Sequence, residues 1–146
     1  MDNDELQEMV SPEAREIFSE TVIDHAIHPR NVGEIQNADG LAVITGSCGD
    51  TMGLWLRVKN DIIQDIRFVT DGCGTSVASG SMVTELAKGK SISESMKIDR
   101  EKVLNALGGL PEDSEHCALL AASTLKAAIR DYLAMKREPW KKAYRQ

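Results

Sequence analysis

Between Met52 and Thr75 the apolar pattern changes its period from two to that of a helix, and this switch constrains the architecture more than any other feature. Met52, Leu54, Leu56 and Val58 alternate with Gly53, Trp55, Arg57 and Lys59. Such alternation turns one face of a β-strand to the core and the other to solvent. Asn60-Asp61 reads as a two-residue turn, and Ile62–Thr70 as the returning strand. The apolar run Leu41–Thr45 supplies a strand before them. Three consecutive strands with tight links make an antiparallel meander. Beyond Thr75 the pattern is helical. Strands first and helices after predict an α+β domain, a small three-stranded antiparallel sheet with helices packed on one face. Trp55 falls on the polar face, either beneath a helix or loop or in a partner surface.

Ser11-Pro12-Glu13 starts a helix: serine as N-cap, proline at the first helical position, an acid in the first turn. That helix carries Ile17, Phe18, Val22 and Ala26 inward and stops by His28, because Pro29 drives the preceding residue out of the α region. Arg30–Gly33 reads as a loop. A helix over Ser76–Lys88 opens with small residues suited to close packing on a sheet, and Gly89 ends it. Shorter helices cover Ser91–Met96 and Asp99–Leu107. The last helix starts near Asp113 or Ser114, buries Ala118, Ala121, Leu125, Ile129, Tyr132 and Leu133, and ends before Pro139. A chain of 146 residues makes one domain. We place it at 11–138, between a flexible acidic N-terminus (1–10) and a basic C-terminal tail (139–146).

The net charge is −6, with seven acids and one base in residues 1–20. An acidic body lacks the clustered positive charge that nucleic acid requires. The basic residues near the end (Lys136, Arg137, Lys141, Lys142, Arg145) suit a helix C-terminus or a docking tail. No apolar run approaches the roughly 20 residues of a membrane span. The N-terminus has no signal-peptide core, and its acidity is wrong for a transit peptide. The expected location is cytoplasmic.

There are three cysteines and no CxxC, so a disulfide framework is not expected. Cys48 lies in Gly46-Ser47-Cys48-Gly49-Asp50, between two strands. Cys73 lies in Asp71-Gly72-Cys73-Gly74-Thr75, at the strand-to-helix turn. Structural cysteines prefer buried apolar sites, whereas glycine-flanked turns allow positive φ and close approach of a ligand. Cys117 follows His116 in the first turn of the last helix, where the macrodipole favours a thiolate. A His116–Cys117 catalytic dyad is not expected, because helix neighbours diverge by about 100°. Asp50 offers an oxygen ligand. Three thiolates with either Asp50 or His116 make a four-ligand set for zinc or an iron–sulfur cluster. A weak fourth ligand would ease cluster release. Scattered thiols or one reactive cysteine are the competing readings. His25 and His28 read as structural or surface residues.

The chain resembles the IscU/NifU-type (N-terminal domain) iron–sulfur cluster assembly scaffolds over roughly residues 18–135. The resemblance rests on Phe18-Ser19-Glu20 through Asp24-His25, Pro29–Gly33, Cys48-Gly49-Asp50, Gly72-Cys73-Gly74 followed by Ser76–Ser81, Lys88-Gly89-Lys90, Leu110-Pro111 and His116-Cys117. It implies an α+β fold and a scaffold that builds [2Fe–2S] clusters from iron and sulfur supplied by a cysteine desulfurase, then passes them to apo acceptor proteins. By the same resemblance Cys48, Cys73 and Cys117 hold the cluster, Asp50 or His116 completes coordination, and Cys117 accepts persulfide. Zinc would occupy the same set in the cluster-free form. The chain would be a carrier and not an enzyme.

Three positions depart from the family pattern. Leu110-Pro111 is followed by Glu112-Asp113-Ser114 instead of Pro-Val-Lys, which argues against handling by the dedicated heat-shock chaperone pair. Phe18 replaces a common tyrosine, and His28 a common asparagine. The alternative function is a zinc-dependent persulfide acceptor working with a cysteine desulfurase. Its relatives carry an insertion before the third cysteine and lack the preceding histidine. A zinc-stabilised interaction module is the third reading.

Overall fold

The computed structural model describes residues 3–144. Met1, Asp2, Arg145 and Gln146 lie outside them, and with them parts of both terminal segments read from the sequence. The elements run α1 (Asn3–Val10), α2 (Pro12–Ile17), α3 (Glu20–Ile27), β1 (Gly40–Thr45), β2 (Thr51–Lys59), β3 (Ile62–Thr70), α4 (Gly74–Ala87), α5 (Ile92–Ser95), α6 (Arg100–Leu107) and α7 (Glu115–Arg137). Short 3₁₀ turns cover Glu112–Ser114 and Pro139–Tyr144.

The meander forms in the order β1-β2-β3, both pairs antiparallel. Asn60 and Asp61 both take positive φ (54° and 57°), the conformation that a two-residue hairpin turn demands. Met52, Leu54 and Leu56 of β2, with Ile63, Ile66 and Phe68 of β3, are buried together on the inner face. There α4 covers β3 and α7 covers β1 and β2. The small-residue run does pack on the sheet. A Cβ on Gly80 would lie 2.5 Å from two ring carbons of Phe68, so α4 reaches β3 only because that position has none. Trp55 is half-buried on the outer face, lying across Gly53, with Ile35 and Lys142 lining the same groove.

Four expectations are corrected. Residues 3–10 form helix α1, whose Met9 is buried against Gly74, where the sequence reads frayed chain. The single helix expected from Pro12 to His28 is two. Ser19 caps α3 through the Val22 N–H and donates its hydroxyl to the Leu107 carbonyl, an anchor that breaks the helix at Phe18. The break turns Ile17 outward, 61% exposed, while Val22 and Ala26 stay in the core. Leu133 is 37% exposed, because α7 outruns the sheet edge by its last turns. Finally, Arg30–Gly33 is more than a connection. The Phe68 N–H donates to the Asn31 carbonyl and the Gly33 N–H to the Phe68 carbonyl, both at 2.9 Å, so the segment pairs with the edge of β3.

Three of the basic residues near the end have acidic partners within the chain. Lys136 pairs with Asp61 at 3.0 Å, Lys142 with Asp39 at 3.5 Å, and Lys141 with Glu138. His28 is exposed and His25 is buried, its Nδ1 hydrogen-bonded to Ser81 Oγ at 2.7 Å. Burial and then the Arg30 charge lower the His25 pKa from its usual value, while Asp24 and Glu85 oppose them more weakly. The neutral ring is therefore the folded form. As pH falls through about 6.5, the unfolded chain takes up a proton that the folded chain refuses, and stability falls. Between pH 7.5 and 5.5 the melting temperature of the wild type is expected to drop more than that of His25→Gln. Parallel curves would exclude His25 as the source.

Candidate metal centre

Three separate stretches of chain meet at the end of the sheet where α4 and α7 begin. The β1–β2 loop carries Cys48 and Asp50, the β3–α4 turn carries Cys73, and the first turn of α7 carries His116 and Cys117. The loop is closed by Gly46 N–H to the Asp50 carbonyl (2.8 Å) and Gly49 N–H to the Gly46 carbonyl (3.1 Å). Gly49 takes φ +92°, which glycine alone adopts without strain. Asp71 ties the two turns together, its carboxylate accepting the Thr51 N–H at 2.7 Å. Of the glycines beside the cysteines, only Gly49 has positive φ. Gly72 serves close approach, since a Cβ there would meet Ser76 Oγ at 2.5 Å and Asp50 Oδ2 at 2.7 Å.

Cys48, Asp50 and His116 present one donor atom each, all within 4.8 Å of one another. Cys73, which is exposed, and Cys117, which is buried, adjoin them. His116 Nε2 lies 3.6 Å from Cys117 Sγ, so these neighbours meet despite the divergence expected of them. Thr75 Oγ1 stands between these two thiols, 3.2 Å from Cys73 and 3.4 Å from Cys117. Ser76 Oγ reaches both Asp50 Oδ2 (2.8 Å) and Cys117 Sγ (3.3 Å). The five donors expected to form a site thus lie in one connected cluster, and His25 and His28 stand outside it. Thiolate, imidazole and carboxylate together suit zinc or an iron–sulfur cluster. All three cysteines are free thiols.

The electrostatics reverse one expectation. Cys117 is 1% exposed, and its pKa is raised because it donates to Cys73 and is desolvated. The thiolate belongs to Cys73, the N-cap of α4. Its pKa is pulled well down, first by the Cys117 thiol, then by Thr75 and by the backbone N–H groups of Ser76 and Thr75. The helix N-terminus does stabilise a thiolate, but it is α4 and not α7 that does so. Thr75 and Ser76 were not singled out from the sequence. Their one signal is polarity at the start of a helix that is otherwise buried.

Among the described residues no helix is long and apolar enough to cross a membrane. The NifU-like N terminal domain family matches residues 17–139. The chain is 49% identical over 117 residues to "Iron-sulfur cluster assembly scaffold protein IscU 1" of Archaeoglobus fulgidus, covering 80% of this chain and 76% of that one. It is 45% identical over 126 residues to "Iron-sulfur cluster assembly scaffold protein IscU" of Escherichia coli, covering 83% and 97%. The crystal structure of a nitrogen-fixing NifU-like protein (N-terminal) from Brucella abortus superposes with TM-score 0.66 at 18% identity over 83% of this chain and 97% of that one, a likeness of fold. With a family match across most of its length and relatives approaching half identity, the chain belongs to the NifU-like N-terminal domain family.

Proposed function

We propose that this protein is a scaffold on which iron–sulfur clusters are assembled and from which they are handed on. The observation that carries the reading is the convergence of Cys48, Asp50, Cys73, His116 and Cys117 from three chain segments at one end of the fold. The relatives' names agree with it. The cluster is cargo, [2Fe–2S] in type, held by the three thiolates with Asp50 or His116 as the exchangeable fourth ligand. Zinc takes the same donors in the cluster-free form. The scaffold domain is residues 11–138, flanked by the acidic and basic end segments. The free thiols agree with a cytoplasmic location.

Sulfur arrives as the persulfide of a cysteine desulfurase. Cys117 passes its proton to the neighbouring Cys73 thiolate as its sulfur attacks the terminal sulfur, the donor's S–S bond breaks, and the donor cysteine leaves as thiolate. Because Cys117 is buried, the site must open locally for this step. Leu110-Pro111 followed by two acids leaves the dedicated chaperone pair out of the proposal.

The test is anaerobic reconstitution of the full chain with desulfurase, cysteine and ferrous iron, followed by addition of an apo ferredoxin. Expected are visible absorption, two iron and two sulfide per cluster, and their passage to the ferredoxin. Stoichiometric zinc with persulfide on Cys117 but no cluster would overturn the scaffold in favour of a zinc-dependent sulfur acceptor. No sulfur uptake, with unfolding on chelation, would leave a zinc-stabilised module.

A further inference from the structure

Ser76 belongs to none of the five donors, yet it is the side chain that touches both halves of the centre. It is 0% exposed, in the first turn of α4. Its hydroxyl has one hydrogen and two acceptors in reach, Asp50 Oδ2 at 2.8 Å and Cys117 Sγ at 3.3 Å. The carboxylate is charged and closer, and a charge-assisted bond is roughly twice as strong as a neutral one. The hydrogen therefore goes mainly to Asp50, and Cys117 Sγ, whose own hydrogen is directed to Cys73, is the weaker second acceptor. Gly72 leaves the space for this bond, since a Cβ there would overlap both Ser76 Oγ and Asp50 Oδ2.

We propose that Ser76 is the positioning residue of the oxygen ligand: it ties one oxygen of Asp50 to the rigid start of α4 and leaves the other to face the metal beside Cys48 and His116. Without that tie, the Asp50 carboxylate, at the end of the β1–β2 loop, is free to rotate and loses that freedom each time it binds. Partners of this kind fix ligand orientation, and losing them costs about 10–100-fold in metal affinity. The inference rests on the reading that Asp50 is a ligand, and it concerns the occupied centre whether the cargo is zinc or a cluster.

The experiment is a zinc competition titration on the full chain for wild type, Ser76→Ala, Asp50→Ala and the double variant, with cobalt spectra of each. Ser76→Ala is expected to weaken zinc binding about 10–100-fold and to shift the cobalt bands toward those of Asp50→Ala. Adding Ser76→Ala to Asp50→Ala should change affinity less than about twofold, because the partner is already gone. Ser76→Thr, which keeps the hydroxyl, should recover wild-type affinity. If Ser76→Thr does not fold, the cobalt spectrum of Ser76→Ala decides. Unchanged affinity in Ser76→Ala, or an equal loss with and without Asp50, would overturn the proposal, the latter by showing action through Cys117. A coupled zinc cycle in a chain that builds no cluster would leave Ser76 standing and remove the scaffold reading. A cluster-building chain with no coupling would do the reverse.

Discussion

In the metal-free protein, alkylation of Cys73 is expected to proceed at nearly the same rate at pH 6 and pH 8. An ordinary thiol, with a pKa near 8.5, gains roughly 80-fold in thiolate over that interval and reacts correspondingly faster. Cys73 is already ionised at the lower pH, because the Cys117 thiol, Thr75 and two backbone N–H groups at the start of α4 all favour its thiolate. It is also exposed, so reagent reaches it. Cys117 is buried and held protonated by its donation to Cys73, so it should be labelled last, and only as the chain opens locally. The decisive variant is Cys117→Ala. It removes the leading cause of the shift and should restore a steep pH dependence to Cys73. Mass spectrometry of peptides from chelator-treated protein reads both rates. A steep profile in the wild type, or a flat one in the variant, would refute the shared-proton description of the pair.

Gly80→Ala is expected to destabilise the protein by adding a methyl at the packed interface between α4 and β3. The new carbon would sit 2.5 Å from two atoms of the Phe68 ring and 3.2 Å from the Met52 methyl. Phe68 is fully buried and cannot retreat toward solvent. Overpacking of this kind costs about 1–3 kcal/mol, and better helix propensity returns about 1 kcal/mol. A net loss near the upper end lowers the melting temperature by about 4–8 °C for a chain of this size. Gly46→Ala is the control, since its nearest contact would be an ordinary 3.5 Å from Leu120. Equal melting temperatures for Gly80→Ala and wild type would mean that α4 can lift off β3 without cost.

Much of this was legible in the residues. The alternation in β2, the Asn60-Asp61 turn and the stops at His28 and Gly89 are local signals, and each lies where local physics puts it. The glycine-flanked cysteines pointed to the right turns for the same reason. The misreadings all depend on contacts between distant parts of the chain. Ser19 breaks a helix because the Leu107 carbonyl, 88 residues away, takes its hydroxyl. Ser76 acquires its partners only when the β1–β2 loop and α7 close over α4. The thiolate was assigned to Cys117 from its own helix end, whereas the proton is divided by a pair that no linear pattern discloses. Arg30–Gly33 contains no strand signal, since its pairing borrows regularity from β3.

That last contact bears on the open edges of the sheet. A three-stranded sheet has two open edges, and each invites a strand from another molecule. Along β3, Asn31 and Gly33 occupy the N–H and carbonyl of Phe68, in the second half of the strand, where an incoming strand would pair. Along β1, Asp131 of α7 takes the Leu41 N–H at 2.9 Å. Both rims are therefore blunted by the chain's own groups, and sheet-to-sheet polymerisation is discouraged even at high concentration.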